Sequence, residues 1–349
     1  MKYILIIICH LFFSFCQEEK VCRNPSGKEV DWYILFLFPR SAASDGQIYY
    51  TYFDSNLKSL EFHLYNESSF PPTFITSFIL KNNNTSNYNF FFWNDDISKK
   101  DGPKLNTSLE KAHSKGALLY DNKEGIFLSH SLPRFPTRNI KNELLSELPS
   151  NTGYYGQHFL CISILKNSAD KIVEILNYIN IQNIYSIKKD NVNKIENIWV
   201  KNLIKNSLNY SNITIDKSII IESKNGVKFT IFSKNNYDIF IPYDTNLRQN
   251  YLDDFYIRTW TRPKLLGAIC EKYSLFNVNK LQFGKFKYNK DQEHAKWAIS
   301  IYKNIICFGD LNHCESQSKR SGILICFEDE ALHNIMIDAI RSTDSCSFN

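Results

Sequence analysis

Two His-x-Lys pairs, His113-Ser114-Lys115 and His294-Ala295-Lys296, each open an apolar run: Gly116-Ala117-Leu118-Leu119-Tyr120 after the first, Trp297-Ala298-Ile299 after the second. Residues two apart in an extended strand point to the same face, so each pair presents one imidazole and one ammonium together. That couple suits a phosphate, the ring as nucleophile or proton donor and the lysine as a fixed positive charge. A single such pair arises by chance in many chains. Two, each at the mouth of a strand, constrain the fold to one that brings distant segments to a common groove.

The chain is long enough for that. At 349 residues it exceeds one small domain, so a large core or two packed, similar halves is expected. Its 43% hydrophobic and 15% aromatic residues, rich in Ile, Tyr and Phe, exclude a disordered chain and favour strands. Lys2 and the apolar run Tyr3 to Phe15, with small residues near Cys16, read as a signal peptide over residues 1–16. The run is too short to span a bilayer, so no membrane anchor is expected and the chain reads as secreted or lumenal. Of nine cysteines, Cys9 and Cys16 leave with the signal; seven remain, which makes three bridges and one leftover thiol in an oxidising compartment. Spacing does not say which pair. With no Cys-x-x-Cys or His-x-x-x-His, the sequence offers no ready zinc site. Sequons at Asn66, Asn83, Asn84, Asn106, Asn209 and Asn212 agree with secretory passage.

Strands are expected over Val30 to Pro39, Ile48 to Phe53, Phe74 to Leu80, Ala117 to Tyr120, Gly125 to Leu128 and Phe159 to Leu165. In the second half they are expected over Ser218 to Glu222, Val227 to Ser233, Cys270 to Phe276, Trp297 to Ile301 and Ile305 to Phe308. Helices are expected over Ala169 to Ile179, Lys194 to Leu208, Tyr251 to Trp260 and Asp329 to Ser342, and Gly309 to Gly322 reads as a polar loop. The formal net charge of +5 is only mildly basic. Protonated histidines would raise it in acid and strengthen affinity for a polyanion.

With these residues in view, the chain resembles the deoxyribonuclease II family, acid endonucleases within the phospholipase D-like superfamily. The resemblance rests on Val30-Asp31-Trp32-Tyr33, His113-Ser114-Lys115-Gly116, Leu128-Ser129-His130-Ser131-Leu132-Pro133 and Tyr155-Gly156-Gln157-His158. It continues in His294-Ala295-Lys296-Trp297, Gly309-Asp310-Leu311-Asn312 and Arg320-Ser321-Gly322. It implies a mixed α/β fold of two phospholipase D-like modules, 17–166 and 167–349, each a strand-rich sheet flanked by helices and packed as a pseudo-dimer. It also implies the bridges Cys22–Cys161, Cys270–Cys346 and Cys307–Cys326, leaving Cys314 as a free or intermolecularly paired thiol.

The function implied is hydrolysis of DNA phosphodiester bonds without metal or other cofactor, in a secreted or lysosomal setting. One imidazole, His113 in our reading, attacks phosphorus to give a phosphohistidine; His294 as imidazolium protonates the departing 5′ oxygen, and water leaves a 3′-phosphate. The roles can be exchanged. Lys115 and Lys296 hold the nonbridging oxygens. His130 and Asn312 are assigned to the phosphate pocket as donors and Arg320 as a further phosphate contact. Asp310 is either a triad-like orienting acid or an ordinary loop carboxylate. His158 is read as structural, His63 and His333 as surface or packing residues, and His313 is left open between site and scaffold. The alternative function is an inactive secreted relative that binds DNA or a host protein as an effector, suggested by Cys314 and the Asn/Lys/Ile-rich middle. Oligomeric state is not written in the sequence.

Overall fold

The computed structural model describes residues 20–81, 88–96, 111–139, 143–145, 147–186, 197–205 and 218–346. Two sheets face one another. The first has seven antiparallel strands in the order Glu61–Leu64, Tyr49–Asp54, Trp32–Leu37, Gln157–Leu165, Glu124–His130, Gly116–Tyr120, Asn89–Trp93. The second runs Ser218–Glu222, Lys228–Lys234, Gly322–Glu328, Ile305–Gly309, Trp297–Ser300, Phe255–Arg258, Leu275–Phe283, Phe286–Asn289, and Ile340–Thr343 joins it beside Leu275–Phe283. Its one parallel pairing among the described strands joins Phe255–Arg258 to Leu275–Phe283.

The strand Trp32–Leu37 shows why its sequence is apolar throughout. Trp32, Ile34 and Phe36 enter the large core between the sheets, while Tyr33, Leu35 and Leu37 enter the core on the outer face. Both faces are covered, so alternation disappears. Trp32 meets Phe327 at 5.0 Å, and Phe36 meets Phe283 at 5.5 Å and Phe308 at 5.9 Å. One continuous core therefore joins residues from both halves of the chain. Helices Lys166–Tyr178, Ile198–Lys205 and Glu330–Ala339 give Leu176, Leu203 and Met336 to it.

Several expected elements differ: the strand expected over Cys270 to Phe276 begins only at Leu275 and runs to Phe283, and the last helix ends at Ala339, where Ile340–Thr343 continues as a strand. Phe74 to Leu80 lies in a helix, Pro71–Lys81, rather than a strand. Prolines are favoured in a first helical turn, where their missing N–H costs nothing, and Ile75 and Ile79 share a buried face at helical spacing. Tyr251 to Trp260 is not one helix: Arg248–Tyr251 ends at Leu252 in the left-handed region (φ 51°), and the chain resumes as the strand Phe255–Arg258. The stretch Gly309 to Gly322 is polar in sequence yet largely interior, with Leu311, Asn312, His313, Cys314, Gln317, Arg320 and Ser321 all buried. The strands Asn89–Trp93 and Gly322–Glu328 were not expected.

The three bridges form between Cys22 and Cys161, Cys270 and Cys346, and Cys307 and Cys326, the last across directly paired strands. Cys314 is a free thiol and fully buried, so it is not presented for pairing with another molecule. Of the sequons, Asn66 is exposed at the start of a short 3-10 turn. Asn83, Asn84, Asn106, Asn209 and Asn212, and the expected signal peptide, lie outside the described residues. No helix among the described residues is long and apolar enough to cross a membrane.

Candidate active site

Each His-x-Lys pair enters its sheet in the same way. After Lys115 the strand Gly116–Tyr120 runs antiparallel to Glu124–His130; after Lys296 the strand Trp297–Ser300 runs antiparallel to Ile305–Gly309. The residue after each return strand, Ser131 or Asp310, donates its N–H to a carbonyl on the next strand over, His158 or Ile323, both at 3.0 Å.

The two halves then hold each other. His113 donates its main-chain N–H to the Ser321 carbonyl at 2.9 Å, and His294 donates its own to the Gly156 carbonyl at 2.8 Å. The rings cross over likewise: His113 Nδ1 lies 2.7 Å from the Asp310 carbonyl, and His294 Nδ1 lies 3.0 Å from the Ser131 carbonyl. A carbonyl oxygen only accepts, so Nδ1 is the protonated atom of each neutral ring and Nε2 carries the lone pair. Gln157, on the strand edge beside Ser131, takes the Ser131 hydroxyl at 2.7 Å and sits 3.2 Å from His294 Nδ1. Gly156 is required here: a Cβ would come within 2.5 Å of Glu293 Oε1, beside the carbonyl that fixes His294.

The charges converge as well. Lys115 pairs with Asp95, a carboxylate that the sequence reading missed, and Asp95 also lies 3.5 Å from His113 Nε2 and 3.4 Å from Arg320 Nη2. Burial would raise the Asp95 carboxyl, yet Lys115, His113 and Arg320 hold it far below the usual carboxylate range. Burial depresses His113 and His294 well below the ordinary imidazole value, and the lysine charges deepen this: Lys115 chiefly at His113, Lys296 then Lys115 at His294. His294 also feels the charge of His113, and Lys296 that of Lys115, so all four groups share one electrostatic site. Lys296 Nζ donates to the His294 carbonyl at 2.6 Å, and burial lowers its own pKa.

Around this centre the expected residues fall into different places. Arg320 is nine-tenths buried, with Nη2 on Asp95 and the Ala112 carbonyl and Nε left without a partner. Asn312 is buried with Oδ1 unpartnered. The main-chain oxygen of Asp310 faces His113 Nδ1, while its carboxyl accepts the Ile323 N–H at 2.9 Å and is pushed up to about 7 by burial. His130 is 2% exposed and packed between Phe159 and Phe135, each 5.3 Å away, and burial and then Lys115 drive its pKa down to about 3. It lies between these rings with neither imidazole nitrogen hydrogen-bonded to another group. His158 is structural: its Nδ1 accepts the Lys296 main-chain N–H at 3.2 Å. His313 pairs with Asp244 at 2.9 Å inside the fold. Among the described residues, no group of three His, Cys, Asp or Glu side chains is placed to hold a metal ion.

Two imidazoles with their Nε2 lone pairs in one cationic site, each beside a lysine, can attack a phosphate diester and protonate its leaving group. By fold and site the chain is a phosphodiester hydrolase. The family model described as Deoxyribonuclease II matches residues 21–346, and the chain belongs to the deoxyribonuclease II family. Among curated relatives, plancitoxin-1 of Acanthaster planci is 26% identical over 95% of this chain and 94% of its own. Cell-death-related nuclease 7 of Caenorhabditis elegans is 25% identical over 99% and 93%, and deoxyribonuclease-2-beta of Homo sapiens 27% over 93% and 91%.

Proposed function

We propose that this chain is an acid endonuclease that hydrolyses DNA phosphodiester bonds through a phosphohistidine. The observation that carries the reading is the reciprocal clamp, in which each half supplies the carbonyl that orients the other half's imidazole. Neutral His113 attacks phosphorus through Nε2, forming a P–N bond as the P–O5′ bond breaks. His294, as imidazolium, gives its Nε2 proton to the departing oxygen. It then takes a proton from water, whose oxygen displaces His113 and leaves a 3′-phosphate. Lys115 and Lys296 hold the nonbridging oxygens, the substrate phosphate competing with Asp95 for Lys115; Arg320 and Asn312 stand at the edge of that pocket.

Acid pH follows from the electrostatics. Burial keeps His294 neutral until the solution is well below its ordinary pKa, and a bound phosphate anion offsets the lysine charges that resist its protonation. Asp310, with its pKa near 7, is uncharged in acid and leaves the positive potential of the site intact.

The same reading makes residues 17–166 and 167–349 two phospholipase D-like modules related as a pseudo-dimer, for which the matched hydrogen bonds at Ser131 and Asp310, and at Gly156 and Ser321, are the support. Removal of 1–16, secretion or lysosomal residence, and a glycan on exposed Asn66 complete it. The test is digestion of supercoiled plasmid at acid pH in chelator, with primer extension from the products before and after phosphatase. Nicked plasmid with phosphatase-dependent extension is expected, and His113→Ala should lower the rate by about 10³-fold or more. No cutting, or cutting only on adding magnesium, would refute the reading.

A further inference from the structure

Five tryptophans occur in the chain. Trp32, Trp93, Trp199 and Trp297 pack into or against the core between the sheets, whereas Trp260 belongs to none of the three apolar clusters. It follows the strand Phe255–Arg258, is half-buried, and sits with its ring centroid 5.3 Å from that of His294. Tyr155 meets it nearly perpendicular at 4.5 Å, one residue before the Gly156 carbonyl that fixes His294. The exposed guanidinium of Arg262 lies 5.4 Å from the Trp260 centroid, and Tyr154 alongside is 71% exposed. The neighbours of Trp260 are an imidazole, a tyrosine and a guanidinium rather than an apolar core, and the ring stays partly open beside a cationic, polar site. Aromatic faces of this kind stack nucleobases with little regard to sequence, and an arginine adds charge for the neighbouring phosphate.

We propose that Trp260, with Tyr155 and Arg262, forms a nucleobase subsite that stacks the base attached to the leaving 5′ oxygen. It rests on the nuclease reading above and deepens it. The base must leave its neighbours in the helix to reach Trp260, and because every base has a ring face its identity matters little. Arg262 moves from the ring to the phosphate beyond as the base takes its place.

The test uses an oligodeoxynucleotide with one phosphodiester among methylphosphonate linkages, made with either thymine or an abasic sugar on the 3′ side of that phosphodiester. Stacking of about 1–3 kcal/mol per base makes the wild-type kcat/KM about 5- to 150-fold higher with the base present. Trp260→Leu, which keeps bulk against His294, and Trp260→Ala should both bring that ratio close to one, and Trp260→Phe should keep most of it. Because the ratio is taken within each variant, a general loss of rate from disturbing His294 cancels. A wild-type ratio near one, or a ratio retained in Trp260→Leu, overturns the subsite and leaves the nuclease reading standing. Failure of the wild type to cut either oligonucleotide overturns the nuclease reading, and the subsite with it.

Discussion

Replacing Asp95 by Asn tests the electrostatics of the site most directly. Asp95 lies 3.5 Å from His113 Nε2, and the two side chains are 7% and 11% exposed, so solvent screens them little. At an effective dielectric constant of about 20, unit charges at that spacing attract by about 5 kcal/mol, a ceiling equivalent to roughly three pH units. A third of that is still about one unit. Asp95 raises the pKa of His113 and also that of His294. With Asn in its place both imidazoles become harder to protonate. Whichever ring is the nucleophile, the acid limb of the bell-shaped kcat/KM profile reports its deprotonation and the alkaline limb reports protonation of the partner. Both limbs therefore move to lower pH, by at least about one unit on the His113 limb. Breaking the buried pair with Lys115 should also cost about 3–5 kcal/mol of stability, so folding is checked by near-UV circular dichroism and urea unfolding at each pH. A folded Asp95→Asn enzyme whose profile stays in place, or moves to higher pH, would show that Asp95 does not set the charge state of these rings.

Gln157→Ala removes one of the acceptors at His294 Nδ1 and should lower kcat about tenfold with little change in KM, as steady-state kinetics on a short oligodeoxynucleotide would show. The double variant Cys22→Ser/Cys161→Ser opens a loop with a sequence separation of 139 and should lose about 2–5 kcal/mol, read from urea unfolding of the two proteins side by side.

Much of this site is visible in the sequence because strands keep strict registers. His113 with Lys115, and His294 with Lys296, declare themselves by spacing alone, and the apolar runs after them declare the strands. Asp95 does not, since an acidic residue after an apolar run is commonplace and its partners Lys115 and Arg320 are remote in sequence. The main-chain oxygens of Ser131 and Asp310 are less legible still, because every residue has one and no side chain marks it. His130 shows how little residue counting says about where a ring lies: its imidazole packs between Phe135 and Phe159, while the carbonyl of its neighbour Ser131 meets His294 Nδ1. The helix Pro71–Lys81 was missed because Phe, Ile and Thr favour strands, a preference that burial of Ile75 and Ile79 on one helical face outweighs.

The exchanged carbonyls have a consequence for how the molecule comes into being. A ribosome delivers His113 long before the Asp310 carbonyl that aims it, whereas the Ser131 carbonyl that aims His294 is already made when that ring appears. A truncated chain, or a separated half, would own an imidazole and a lysine and still lack a directed lone pair. Competence to cut thus depends on the two halves staying together, and a protease that severs them and lets them part should extinguish it.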